Sequence, residues 1–227
     1  MADLILALDL PSGREAIRLL DRLPEALRWV KVGSILMTAE GPDLIRRLLD
    51  RGLEVFLDLK WHDIPSTVRD SVGVARELGI RMATVHTLGG PAMMRAAAEV
   101  AGEALALVGV TVLTSHDEAE YAEMLGRPSV RLLDETARLA RSAIAAGLAG
   151  VVCSPLEVEW LRTGLGPERL LVVPGIRRPS DPVGDQARTA TPSEAVRLGA
   201  THLVVGRPIL LAADPAAALG EFLRSLG

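Results

Sequence analysis

The stretch L-D-L-K-W-H-D-I-P (Leu57–Pro65) begins as an apolar strand and runs into Ile64-Pro65, where a helix can start. Between the two it places Asp58, Lys60, His62 and Asp63 within six residues. Strand, charged corner, helix: this is one βα unit whose corner carries more than packing. Outward from it the same alternation recurs along the whole chain. Strand-like runs lie at Leu4–Leu10, Trp29–Gly33, Glu54–Leu59, Ala83–His86, Ala106–Leu113, Gly150–Cys153, Leu170–Val173 and Leu203–Gly206. Patterns of period near 3.6 fall between them, among them Gly13–Leu23, Pro42–Arg51, Ile64–Leu78, Pro91–Ala101 and Val130–Ala146. Gly52 and Gly79 follow the second and third of these as helix stops, and Ser193 in T-P-S-E-A is expected to cap a short later one.

Strands that are apolar throughout, separated by helices, form a parallel sheet covered on both faces. Eight such units in 227 residues have the size of a single-domain (β/α)8 TIM barrel of class α/β, spanning residues 1–227. A doubly wound open sheet is the alternative, because periodicity does not show closure. Polar residues recur where strands end: Asp9, Lys31, Asp58, Lys60, His86, Thr114 and Arg207. Closure of a barrel gathers those ends on one face, which favours the barrel.

Composition narrows the function classes. A net charge of −4 requires no broad basic face, and 3% aromatic content leaves few stacking platforms, so nucleic acid is not the expected partner. The longest apolar runs fall short of the ~18–20 residues of a membrane span. One cysteine, Cys153, excludes an internal disulfide and fits a reducing compartment. With an opening that lacks a basic, apolar leader, the expectation is a cytoplasmic protein binding a small molecule.

Only Lys31 and Lys60 among the 25 Lys+Arg residues are lysine; the other 23 are arginine. Arginine holds a charge but is a poor proton donor, whereas a lysine ammonium can deliver its proton. Lysines kept at two strand ends beside aspartates therefore point to proton chemistry. Residues two apart in a strand share a face, so Asp58 and Lys60 point together, and Lys31 is expected to end the neighbouring strand. Asp9, Lys31, Asp58 and Lys60 then form one alternating array, each charge favouring the ionised form of its neighbour. His62 has no second histidine at ligand spacing, so no metal site is expected there. Asp63 directly precedes the helix and fits a capping role as well as a catalytic one. His86, His116 and His202 are expected at strand ends or in packing, and Cys153 as an inert core thiol.

A second constellation lies toward the C-terminus: V-V-P-G-I-R (Val172–Arg177), G-D-Q-A-R (Gly184–Arg188) and V-V-G-R-P-I (Val204–Ile209). After the seventh and eighth strands such loops form the phosphate pocket of many barrels. Gly206 permits close backbone approach, Pro208 suits a helix's first turn, and Arg207 adds a forked donor. The segment from Gly175 to Gly184 is long enough to close as a lid.

Taken in order, A-L-D, V-K-V-G, D-L-K-W-H-D-I-P-S-T-V, V-T-V-L-T-S, P-G-I-R, G-D-Q and V-V-G-R-P-I resemble the orotidine 5′-phosphate decarboxylases of bacterial type across the whole chain. The resemblance implies a homodimeric barrel that converts orotidine 5′-monophosphate to UMP in pyrimidine biosynthesis with no metal or organic cofactor. It implies that Asp9 holds the ribose, Lys31 bridges a substrate hydroxyl and the network, Asp58 faces the scissile carboxylate and Lys60 protonates C6. Asp63 and Thr67 would reach into the partner subunit's site. Thr114, with Ser115, would meet the pyrimidine edge, and Gln186 would link lid, base and phosphate. Arg177, Gly206 and Arg207 would grip the phosphate. Trp61 stands where Phe or Tyr is usual, and T-L-G-G follows His86 in place of A-x-G-G. The alternative within the suprafamily is a magnesium-dependent sugar-phosphate decarboxylase or aldolase, similar to 3-keto-L-gulonate-6-phosphate decarboxylase. The continuation H-D-I-P-x-T-V and the G-D-Q segment favour the nucleotide enzyme. From another class, a non-catalytic nucleotide-phosphate binder would have no use for the Lys31/Asp58/Lys60 set.

Overall fold

Each apolar run folds as a strand, and the eight strands pair in chain order, all parallel: β1 (Asp3–Ala7), β2 (Trp29–Gly33), β3 (Glu54–Trp61), β4 (Met82–His86), β5 (Ala106–Val110), β6 (Gly150–Val152), β7 (Leu170–Val173) and β8 (His202–Val205). β8 returns to β1, with Leu203 opposite Leu4 and Val204 opposite Ile5, so the sheet is a closed barrel and not an open one. This computed structural model describes residues 2–179, 181 and 188–226.

Period two along the strands divides the apolar residues between two sets of neighbours. Inward positions Ile5, Phe56, Met82, Val108, Val172 and Val204 fill the barrel as one cluster. Truncating a buried aromatic such as Phe56 costs about 3–5 kcal/mol. Outward positions such as Leu4, Leu6, Val30, Val55 and Leu57 pack against the surrounding helices. Those helices are α1 (Gly13–Leu20), α2 (Ser34–Glu40), α3 (Pro42–Leu49), α4 (Pro65–Glu77), α5 (Gly90–Ala101), α6 (Glu118–Met124), α7 (Leu132–Ala145), α8 (Val158–Leu165), α9 (Pro192–Leu198), α10 (Arg207–Leu210) and α11 (Pro215–Arg224).

Helix starts follow capping chemistry. Ser12, Asp117 and Asp214 each accept an amide of the first turn of α1, α6 and α11. Two expectations are corrected here. Thr191, not Ser193, caps α9: its hydroxyl accepts the Glu194 amide while Glu194 reaches back to the Thr191 amide, a complete capping box. Ser193 instead lies inside the helix and donates to the Ser225 carbonyl. Asp63 does not cap α4 either; Ile64 occupies that position, and the Asp63 carboxylate accepts only the Ile64 amide at 2.6 Å. Strand boundaries also shift. β1 stops at Ala7, short of Leu10, whereas β3 runs on to Trp61.

Candidate active site

The inward positions that begin at Ile5, Trp29 and Phe56 continue upward, two residues at a time, to Ala7 and Asp9, Lys31, and Asp58. The apolar layer that fills the barrel is thus the floor on which the charged residues stand. Lys31 lies in the middle of β2 rather than at its end, opposite Phe56 of β3, with Gly33 opposite Asp58. Above this floor opens a cleft of ≈ 250 Å³, a size for one small molecule.

Distances within the array are short and alternate in sign. Lys31 Nζ lies 2.9 Å from Asp9 Oδ1 and 3.4 Å from Asp58 Oδ2. Asp58 Oδ1 accepts from Lys60 Nζ at 2.9 Å and from the Thr84 hydroxyl at 3.1 Å. Lys31 is 8% exposed, so its charge is nearly out of water. Burial works against the ammonium, but Asp58 and Asp9 outweigh it and raise the Lys31 pKa above its ordinary 10.5. Burial likewise works against the Asp58 carboxylate; Lys31, then Lys60, overcome it and hold Asp58 below its ordinary 3.8. Both groups remain ionised across neutral pH because each is the other's counter-charge.

Lys60 reaches Asp58 by a route that simple strand alternation does not provide. Its φ is +53°, in the left-handed region, and it is the only non-glycine with positive φ among the described residues. Such a backbone costs about 1–3 kcal/mol and persists only where its surroundings hold it. β3 and β4 pair at Leu57–Ala83 and again at Trp61–Val85, so β3 spends two extra residues in a bulge around Lys60. The bulge turns the Lys60 ammonium back onto Asp58.

Arg177, Gly206 and Arg207 also line the cleft, with Pro174, Gly175 and Thr114. Pro208 sits in the first turn of α10, as expected, with Gly206 as its N-cap. Ser115 is exposed and does not line the cleft. Asp63 and Thr67 are exposed and outside it as well, within an unbroken exposed run from His62 to Thr67. His62 stacks on His86 at 5.5 Å between ring centroids. His86 ends β4 and His116 pairs with Glu120 at 2.8 Å, while His202 is buried edge-on against Trp29. Burial raises the Cys153 thiol well above its ordinary value, which keeps it protonated. Gln186 lies outside the described residues, as do positions 180 and 182–184 of the segment expected to act as a lid. The described ends of that segment are anchored: Arg178 pairs with Asp181 and Glu221, and Arg188 with Glu157, Ser154 and the Leu113 carbonyl.

Two residues at the site escape a reading by charge and motif. Thr84 touches both Asp58 and the Lys60 backbone, yet sits in an apolar run without any charge of its own. Gly33 leaves room for the Lys31 ammonium, since a Cβ there would come within 3.2 Å of Lys31 Nζ. Its place in V-K-V-G, two residues after the lysine, was the available signal.

Residues 2–222 match the model of the "Orotidine 5'-phosphate decarboxylase / HUMPS family". This chain belongs to that family. It is 48% identical over 227 residues to the orotidine 5′-phosphate decarboxylase of Opitutus terrae, covering 99% of this chain and 98% of the relative. It is 49% identical over 220 residues to that of Halorhodospira halophila, covering 95% and 92%. A crystal structure of orotidine 5′-phosphate decarboxylase from Lactobacillus acidophilus superposes with a TM-score of 0.89 at 36% identity, covering all of both chains. Family membership accounts for the fold and for the charged segment at the β3 corner together. Among the described residues no three His, Cys, Asp or Glu side chains converge as metal ligands; ammoniums separate the two carboxylates of the cleft.

Proposed function

We propose that this protein is a carboxy-lyase that decarboxylates orotidine 5′-monophosphate to UMP, a step of pyrimidine biosynthesis, without metal or organic cofactor. The observation that carries this reading is the alternating Asp9–Lys31–Asp58–Lys60 array at the base of one small cleft, with Lys60 Nζ 2.9 Å from Asp58. Decarboxylation breaks the bond from C6 to the carboxylate and leaves the electron pair on C6. Nothing in a pyrimidine ring delocalises that pair well, so the barrier falls only if a positive charge is already in place. The Lys60 ammonium supplies the charge, then transfers its proton to C6 as CO2 leaves. Asp58 holds the ammonium at that spot and lies against the scissile carboxylate.

In this assignment Lys31 bridges a ribose hydroxyl and the array, and Asp9 holds the ribose. Thr114, which lines the cleft where Ser115 does not, meets the pyrimidine edge. Arg177, Arg207 and the Gly206 backbone take the phosphate, and Gln186 links base and phosphate. Binding energy from that remote phosphate can be spent on orienting the base. Asp63 and Thr67, exposed on the rim, serve the site of a second subunit, so the working unit is a homodimer. The expected setting is the cytoplasm, with neither nucleic acid nor membrane as partner; no described helix is long and apolar enough to cross a bilayer.

The test follows the ultraviolet absorbance of orotidine 5′-monophosphate with purified protein in excess EDTA. Full turnover under chelation is the expected result. Loss of turnover on chelation, restored by Mg2+, would transfer the protein to the magnesium-dependent sugar-phosphate branch. UMP binding without any turnover would mark a nucleotide-binding protein that is not an enzyme.

A further inference from the structure

We propose that Thr84 is a positioning residue whose single hydroxyl joins the Lys60 backbone to the Asp58 carboxylate and so sets the geometry of that pair. Thr84 lies two residues above Met82 of the barrel filling, and is completely buried. The Lys60 amide donates to Thr84 Oγ1 at 2.8 Å, and Thr84 Oγ1 donates to Asp58 Oδ1 at 3.1 Å. It falls in the gap of the β3–β4 ladder, between the Leu57–Ala83 and Trp61–Val85 pairs. There the β3–β4 register shifts, and the Thr84 side chain takes up the Lys60 amide.

The direction of these two bonds matters. A hydroxyl has one proton to give. Because the Lys60 amide occupies its acceptor side, that proton goes to Asp58. Oδ1 thus receives the Thr84 hydroxyl and the Lys60 ammonium together, and the same hydroxyl holds the left-handed backbone from which the ammonium projects. Asp58, Thr84 and Lys60 close a ring of three bonds, so a displacement of the carboxylate is felt at the Lys60 backbone. Thr84 does not line the cleft, which makes this an action through Lys60 and Asp58 and not through the ligand.

The inference rests on the decarboxylase reading, and its test separates the two. Thr84→Val keeps the shape and removes the hydroxyl; Thr84→Ser keeps the hydroxyl. The expected result is a fall of about 10²-fold in kcat for Thr84→Val, the scale of a misplaced catalytic group. KM should stay within about threefold, and Thr84→Ser should restore most of kcat. If Thr84→Val does not fold, Thr84→Cys, whose thiol is a weak donor and acceptor, is read the same way. Equal kcat for Val, Ser and wild type, or a loss confined to KM, would overturn the proposal. A wild type inactive on orotidine 5′-monophosphate would defeat the decarboxylase reading alone. The crystal structure of Thr84→Val then decides: Lys60 leaving positive φ supports the proposal, and an unchanged Lys60–Asp58 pair overturns it.

Discussion

At the scale of single residues, the proposed proton-donor role gives the choice of lysine over arginine at position 60 a chemical reason. A guanidinium at that place would keep the charge beside Asp58 but would hold its proton far too tightly to release it to carbon. Lys60→Arg is therefore expected to fold and to retain UMP affinity within about tenfold, as calorimetry would show, while kcat falls by more than about 10³-fold. A variant with near-normal kcat would remove the proton-donor role and leave electrostatics alone. Composition made Lys31 and Lys60 conspicuous without any structure. Composition was silent on the left-handed backbone at Lys60, because no glycine or asparagine marks that position. It was silent on Thr84 for a related reason: a threonine in a parallel strand reads as ordinary β-branched packing. The Thr191 capping box, by contrast, is written in T-P-S-E, where the hydroxyl three residues before Glu194 is that of Thr191 and not of Ser193.

At the scale of elements, the β3–β4 corner holds a second titrating group. His86 caps the short turn after β4, its Nδ1 accepting the Leu88 amide at 3.3 Å, a role open only to the neutral ring. Burial, then the neighbouring His62, Lys60 and His116, depress its pKa from 6.5 to about 4. Between those two values the unfolded chain binds a proton that the folded chain refuses, so His86 supports stability above pH 6.5 and that support is lost as pH falls toward about 4. His86→Asn keeps an acceptor for the Leu88 amide and removes the titration. Its melting temperature is expected to depend less on pH than that of wild type between about 6.5 and 4; parallel curves would refute the assignment. Helices and strands were legible as alternating periods, and so was the convergence of polar strand ends. Their precise ends were not, because Lys31 in mid-strand and the extension of β3 to Trp61 depend on pairing with neighbours distant in sequence.

At the scale of the whole molecule, the exposed run from His62 to Thr67 includes a large apolar side chain, Ile64, and a second, Ile35, is exposed after β2. Ile64 is 64% exposed and Ile35 56%, on the rims above β3 and β2. In the proposed homodimer, where Asp63 and Thr67 serve a second subunit's site, Asp63→Ala and Lys60→Ala would damage different halves of each shared site. Asp63→Ala is expected to lower turnover, and mixing it with Lys60→Ala under conditions of subunit exchange to restore part of it, since one site of each hybrid dimer would have both halves intact. Activity that stays at the level of the separate variants would count against shared sites. Barrel closure was favoured in the sequence by the polar strand ends, whereas a subunit boundary leaves no comparable pattern: Asp63 looks the same in the chain whether it caps its own helix or faces a neighbour.

The scarcity of lysine has a practical consequence for handling the protein. The side chain of Lys31 is 10% exposed and that of Lys60 40%. Apart from the α-amino group, an acylating or reductively alkylating reagent thus meets one readily reached amine, and that amine lies in the cleft. Mass spectrometry of the labelled protein would then report occupied clefts, since a nucleotide bound as proposed would shield Lys60 from the reagent and the α-amino group would add at most one constant label.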